Sequence, residues 1–324
     1  MIPSSNTYQT ALTAHRCATQ LVAESARLPA SFELLHSFAL WAVTDPDPSD
    51  PVLSSTSAPP FEPISVGVVR KYLAAVQAWH IAQGWPPPLD ETGHNRINWS
   101  LRGLENLQGG RRKAIRPPVT RAMLVALRSS LNLADPFDAC IWAQACCAFF
   151  GMMRFGEVSV SSRGAFSPSK HLTRKDASFS TDLLGNRYGR LDLPSAKTAK
   201  PGEVQSVYLN IQGDLCPLAA LNNLAHVVPA LSDDPLFSWR DKHGNIRPMV
   251  KARALGRINS ILQAWGWGTT FGHSFRIGGA SFFLAKKVEP EIVRLAGRWK
   301  SLAYETYIRA FEQISSQHLA NLAS

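Results

Sequence analysis

Apolar residues recur at helical spacing along most of this chain, and only within residues 176–212, over Arg187–Leu193 and Val204–Ile211, does the pattern change to alternation. A period near 3.6 lines one face of a helix and a period of two lines one face of a strand. The chain is therefore expected to be mainly α with a small antiparallel β-sheet. Ala11, Ala14, Ala18, Leu21 and Leu28 mark a helix over 7–28, and Leu34, Phe38 and Trp41 mark another over 31–43. Asp, Pro and Ser crowd the next stretch, 45–60, which reads as a loop. Periodicity resumes after Ser65, a candidate N-cap, and passes Val68, Tyr72, Leu73, Val76 and Trp79 before Gly84 and Pro86, Pro87 and Pro88 stop it. A short helix near Asn98–Leu107 completes this part.

Further on, helices are expected near Arg121–Leu131, Pro136–Phe150, Pro217–Val228 and Val250–Trp265, and through most of 274–321. Arg187–Leu193 and Val204–Ile211 alternate and flank the turn that runs from Lys197 to Gly202, which predicts a hairpin. Gly109 and Gly110 on one side, and Pro117 and Pro118 on the other, bracket a basic cluster of Arg111, Arg112, Lys113 and Arg116. These features divide the chain into a helical domain over 1–110, a basic linker over 111–118 and a second domain over 119–324. A length of 324 residues suits two cores better than one.

The formal net charge is +10, and it is unevenly placed. Residues 1–116 hold 10 Lys and Arg against 9 Asp and Glu, and the rest of the chain holds 24 against 15. A basic domain suits a polyanion, because phosphates shed condensed counterions when cations bind them, although a solvated basic surface gives the same count. Cys17, Cys140, Cys146, Cys147 and Cys216 show no metal-ligand spacing and sit in apolar company, as reduced packing residues do. No apolar run is long enough to cross a bilayer and no basic-then-apolar leader opens the chain, so an intracellular protein without membrane contact is expected.

Several residues in the second domain form a pattern with chemical meaning. Arg154 and Glu157 follow the apolar helix that ends at Phe150, and His273 and Arg276 lie three apart, on one face of a helix that starts near Ser274. Gly297, Arg298 and Trp299 come next, followed by Tyr304 and Tyr307, while Lys197 lies in the hairpin turn with Lys200 as a rival. Singly these are ordinary: an ion pair, a capping contact, a core indole, a solvated lysine. Jointly they meet the needs of phosphodiester cleavage by a side chain. Fixed cations must meet the charge that builds on the non-bridging oxygens, the nucleophile must lose a proton, and the leaving oxygen must gain one.

In this order and spacing, Arg154, Lys197, His273, Arg276, Trp299 and Tyr307 resemble the active-site set of the tyrosine recombinases, the phage integrase family. Trp299 stands where many members have His, so the set looks closer to the Cre-like variant. The string Gly-Arg-Trp-Lys-Ser, then Tyr-Ile-Arg, also resembles recombinases of crypton-type eukaryotic mobile elements. The resemblance implies a helical core-binding domain that clamps DNA, with its most similar stretch from Val69 to Gly84, and a catalytic domain from about residue 117.

It further implies that Tyr307 attacks the scissile phosphate to give a 3'-phosphotyrosyl bond and a free 5' hydroxyl, with no cofactor or metal. Arg154 and Arg276 would hold the phosphate, and His273 would bond it or assist the tyrosine proton. Lys197 would protonate the leaving oxygen, Trp299 would donate to the phosphate, and Glu157 would orient the cluster. Spacing leaves Tyr304 open as the nucleophile, and Tyr-Ile-Arg after Tyr307 is the commoner family pattern. Arg111, Arg112, Lys113 and Lys200 are candidate DNA contacts. The expected partner is double-stranded DNA, bound by a self-associated tetramer, and the last segment, from Phe311, would either dock on a neighbouring protomer, as the resemblance implies, or pack on its own domain. The compartment would be the nucleus in a eukaryote and the nucleoid otherwise.

Two other readings share these residues. A type IB topoisomerase uses a similar set, but there the second Arg usually sits in K-x-x-R with His afterwards, whereas here His273 precedes Arg276. A DNA-binding protein that kept the fold and lost catalysis would differ only in how its Tyr is placed.

Overall fold

The structure is a computed structural model that describes residues 29–44, 63–107, 117–195 and 203–299. The expected helix over 7–28, the loop over 45–60, Arg111, Arg112, Lys113, Lys197, Lys200, Tyr304 and Tyr307 lie outside the described residues. Backbone proximity divides the chain into two compact units, Met1–Ala114 and Ile115–Ser324.

The described part of the first unit is three helices, α1 (Phe32–Val43), α2 (Val66–Ala82) and α3 (Glu91–Leu107). Ser31 starts α1 by accepting the Leu34 N–H at 3.3 Å. Leu35, Phe38, Val43, Val69, Leu73, Ile97 and Leu101 meet in one core. His80 is fully buried at the end of α2, where Nδ1 donates to the Val76 carbonyl and Nε2 accepts from the Ala30 N–H, both at 2.8 Å. Those two bonds fix its tautomer and give it a structural task. α3 begins earlier than expected, at Glu91 rather than near Asn98. Asp90 accepts the Gly93 N–H at 2.6 Å and so caps a first turn that has too few apolar residues to show a period.

The second unit holds α4 (Arg121–Ser130), α5 (Pro136–Phe150), β1 (Ala177–Thr181), β2 (Arg187–Leu193), β3 (Gln205–Asn210), α6 (Pro217–Val227), β4 (Ser238–Arg240), β5 (Ile246–Pro248), α7 (Lys251–Ala264), α8 (Gly272–Ala285) and α9 (Pro290–Ala296). β1, β2 and β3 form an antiparallel sheet in chain order, and β4 and β5 form a separate hairpin. β1 and the β4–β5 hairpin were not expected. Four of the five residues of β1 are exposed, and β4 and β5 have three residues each, so neither leaves an alternating trace.

α5 is the centre of the unit. Asp135 caps it through the Phe137 and Asp138 N–H groups, Pro136 opens it, and every residue from Asp138 to Phe150 is buried. A helix buried all round reads as apolar on every face, which explains its lack of a stripe. Cys140, Cys146 and Cys147 are free thiols in this core, held above their usual pKa by burial. Among the described residues no helix is long and apolar enough to cross a membrane, and no group of His, Cys, Asp and Glu is placed to hold a metal.

Candidate active site

Arg154 lies in the turn that follows α5, and that turn is fixed from several sides. Gln144, buried in α5, donates its amide to the Val158 carbonyl, and the Ser159 hydroxyl donates to the Phe155 carbonyl. Val160 pairs in parallel with Val250 just before α7, through Val160 N–H to Met249 O at 3.0 Å and Lys251 N–H to Val160 O at 2.9 Å. Within the turn Arg154 folds back on Glu157. Its backbone N–H meets one carboxylate oxygen at 2.8 Å and its guanidinium meets the other at 2.9 Å.

α8 carries His273 and Arg276 and is held against the same turn. The Phe155 and Phe275 rings lie 5.3 Å apart, both almost fully buried. Asn259 anchors the approach to α8, accepting the Thr270 N–H and hydroxyl at 2.8 Å each and donating to the Thr270 carbonyl at 3.0 Å. Gly278 and Gly279 then let the backbones nearly touch. A Cβ on Gly278 would lie 2.0 Å from the Val119 carbonyl oxygen, and one on Gly279 would lie 2.0 Å from that of Phe149. Gly279 thus lets α8 lie on the end of α5, where Arg276 reaches the following turn, and Gly278 lets α8 close on the chain just before α4.

Arg276 is 3% exposed. Its guanidinium donates to the Met152 carbonyl at 2.7 Å and to the Gly297 carbonyl, and it lies 4.1 Å from the centre of the Trp299 ring. An indole face attracts a cation, most strongly where water is excluded. Gly297 leaves the room for this, since a Cβ there would fall 1.5 Å from a Trp299 ring atom. Trp299 packs with Met152, Ala280, Leu284 and Val293, and Arg294 donates to its carbonyl at 2.9 Å. His273 is half-buried in the first turn of α8.

Three helices around this cluster end the same way. After each, the backbone makes paired bonds to the last turn and one residue adopts positive φ: Met152 (44°) after α5, Lys287 (63°) after α8 and Arg298 (59°) after α9. This ending, a Schellman cap, ordinarily takes glycine at the left-handed position, as Gly84 and Gly266 do after α2 and α7. A side chain there costs about 1–2 kcal/mol.

Arg298 is the residue the sequence did not single out. Its guanidinium donates to Glu157 at 2.7 Å and its side chain is 7% exposed. Burial pulls this guanidinium below its ordinary pKa; the Glu157 charge opposes that, and the neighbouring Arg154 charge adds to it. Arg154, Arg276 and Arg298 thus all bond to residues 151–157. The only sequence trace of Arg298 was its place between Gly297 and Trp299.

No protein-family model matches this chain, and no curated protein does. Solved structures do. The chain is similar to XerH site-specific recombinase bound to palindromic difH substrate in a post-cleavage complex, with TM-score 0.57 and 13% identity over 97% of this chain and 78% of that one. It is also similar to the Tn1549 transposon integrase in complex with transposon right end DNA, with TM-score 0.54 and 11% identity over 99% of this chain and 95% of that one. A pre-cleavage complex of XerH with difH gives TM-score 0.54 at 15% identity, covering 98% and 78%. The chain therefore has the tyrosine recombinase fold, mainly helical with small antiparallel sheets, as its sequence pattern implied.

Proposed function

We propose that this protein is a site-specific DNA recombinase that cuts and rejoins duplex DNA through a phosphotyrosyl intermediate. The observation that carries the reading is the convergence of Arg154, Arg276 and Arg298 on one turn, 151–157, of a tyrosine recombinase fold. Arg154 and Arg298 share a single carboxylate, so their local charge is positive, and such a site favours an anion. A phosphodiester fits, because its non-bridging oxygens gain charge in the transition state and fixed donors stabilise that charge.

In this reading Arg154 and Arg276 hold the scissile phosphate, His273 and Trp299 donate to it, and Glu157 orients the arginines. Tyr307 is the nucleophile, with Tyr304 the alternative, and Lys197 protonates the leaving 5' oxygen. A free phenol has a pKa near ~10, so the surrounding cations also serve to favour its ionisation. Arg111, Arg112, Lys113 and Lys200 contact the DNA backbone, the unit up to about residue 110 clamps the duplex, and protomers assemble on DNA, as a tetramer in the active complex.

Plasmids carrying fragments of source DNA test the reading when run on gels with and without detergent denaturation. The expected result is a covalent protein–DNA adduct confined to particular plasmids. Relaxation of every supercoiled plasmid would instead indicate a topoisomerase, and salt-dependent binding with no adduct would indicate a silent DNA-binding protein.

A further inference from the structure

Glu157 creates a problem for the arginine it orients. A carboxylate that is 9% exposed and bonded to Arg154 at both its backbone and its side chain cancels much of the charge that Arg154 would offer to a phosphate. Arg298 approaches the same carboxylate from the opposite end of the sequence, with Nη2 at 2.7 Å from Oε2. It is more deeply buried than Arg154, whose side chain is 23% exposed against 7% for Arg298. Arg298 Nη1 lies at the limit of bonding to the Gly151 carbonyl, 3.5 Å, and its buried Nε has no hydrogen-bond acceptor.

A buried guanidinium with an unmet donor and a left-handed backbone is costly three times over. Its one strong contact is the carboxylate.

We infer that Arg298 is a positioning residue that offsets Glu157, so that the carboxylate can orient Arg154 without neutralising it. The inference rests on the proposed recombinase reading. Glu157 needs two cations because one is meant for the substrate. Arg154, the more exposed of the two, faces the incoming anion, and Arg298 keeps the local charge positive from behind.

The test compares wild type, R298Q, E157Q, R298K and the double variant E157Q/R298Q by initial rate of covalent adduct formation on DNA, with thermal melts to separate folding from chemistry. R298Q leaves Arg154 alone with a full carboxylate and is expected to lose ~100-fold, the scale of one lost phosphate donor. Removing the carboxylate as well should recover ~10-fold or more over R298Q, an interaction that a merely structural role would not produce. R298K keeps the charge and should stay within ~10-fold of wild type.

R298Q cleaving like wild type, or E157Q/R298Q no faster than R298Q, would overturn the inference. If R298Q does not fold, R298K decides: a folded R298K that loses ~100-fold overturns it, and one within ~10-fold supports it. If folded wild type forms no adduct, the recombinase reading fails, and orthovanadate, a phosphate-like anion, takes the place of DNA. A melting shift with vanadate in wild type, lost in R298Q and regained in the double variant, would uphold the role of Arg298. No shift in wild type, or an equal shift in R298Q, would end it.

Discussion

Asp138 and Glu157 are both 9% exposed and both bond to arginine, yet their surroundings differ. Asp138 meets one guanidinium, Arg257, through both oxygens at 3.1 and 2.9 Å, and it also accepts the Asn132 N–H. One guanidinium balances one carboxylate, and Arg257 reaches solvent, so the pair ties the start of α5 to α7 at little cost. Glu157 instead meets two guanidiniums, one of them buried on a left-handed residue. A balanced pair at the rim stabilises a fold. A positive excess in a buried turn costs stability and is kept where an anion is to be received.

Each end of this contrast can be broken separately. Arg276→Ala removes the third guanidinium from the 151–157 turn and is expected to lower strand cleavage by ~100-fold or more, while salt-dependent DNA binding by fluorescence anisotropy changes little. Cleavage at the wild-type rate would remove Arg276 from the chemistry. Gly279→Ala attacks the packing that brings Arg276 to the turn, since its Cβ would lie 2.0 Å from the Phe149 carbonyl oxygen. It should cost ~3 kcal/mol, or roughly 10 °C in melting temperature, because neither backbone can move aside without shifting a whole helix. An unchanged melt would mean that α8 is not held as described.

Arg257→Gln is the control on the other side of the comparison. It should cost about 1 kcal/mol by chemical denaturation, because Asp138 keeps the Asn132 N–H and its place in the first turn of α5, and cleavage should stay within ~2-fold. A loss as large as that of R298Q would erase the distinction between the two carboxylates. Lys287→Gly should change stability alone, by no more than Arg257→Gln and with the opposite sign. Lys287 is exposed at φ 63°, so glycine should raise stability by ~1 kcal/mol and leave cleavage alone, whereas a loss of stability would show that its left-handed backbone carries no strain.

The sequence disclosed those parts of the fold whose physics is local. α5 was visible as an apolar run opened by Pro136, and the helix over His273 and Arg276 by its spacing. β1 was hidden because its exposed residues give no alternation, and the start of α3 because Asp90 rather than apolar spacing defines it. In the site, Arg154 and Glu157 could be paired at once, being three residues apart. Arg298 could not be, because its partner lies far away in the chain and its left-handed backbone is one that only glycine advertises. Gly278 and Gly279 gave no sign of their use, which is the close approach of Val119 and of the α5 backbone, because no local rule expresses such a contact.

Formation of a phosphotyrosyl bond between Tyr307 and DNA can be measured without knowing the target. The protein is incubated with fragmented source DNA and denatured in detergent, and the protein-linked DNA is recovered and its ends are sequenced, with Tyr307→Phe and Tyr304→Phe alongside. Adducts are expected at a recurring sequence, and they should vanish with Tyr307→Phe and persist with Tyr304→Phe. A folded protein that binds DNA and yields no adduct, or adducts that survive both substitutions, would contradict attack by Tyr307.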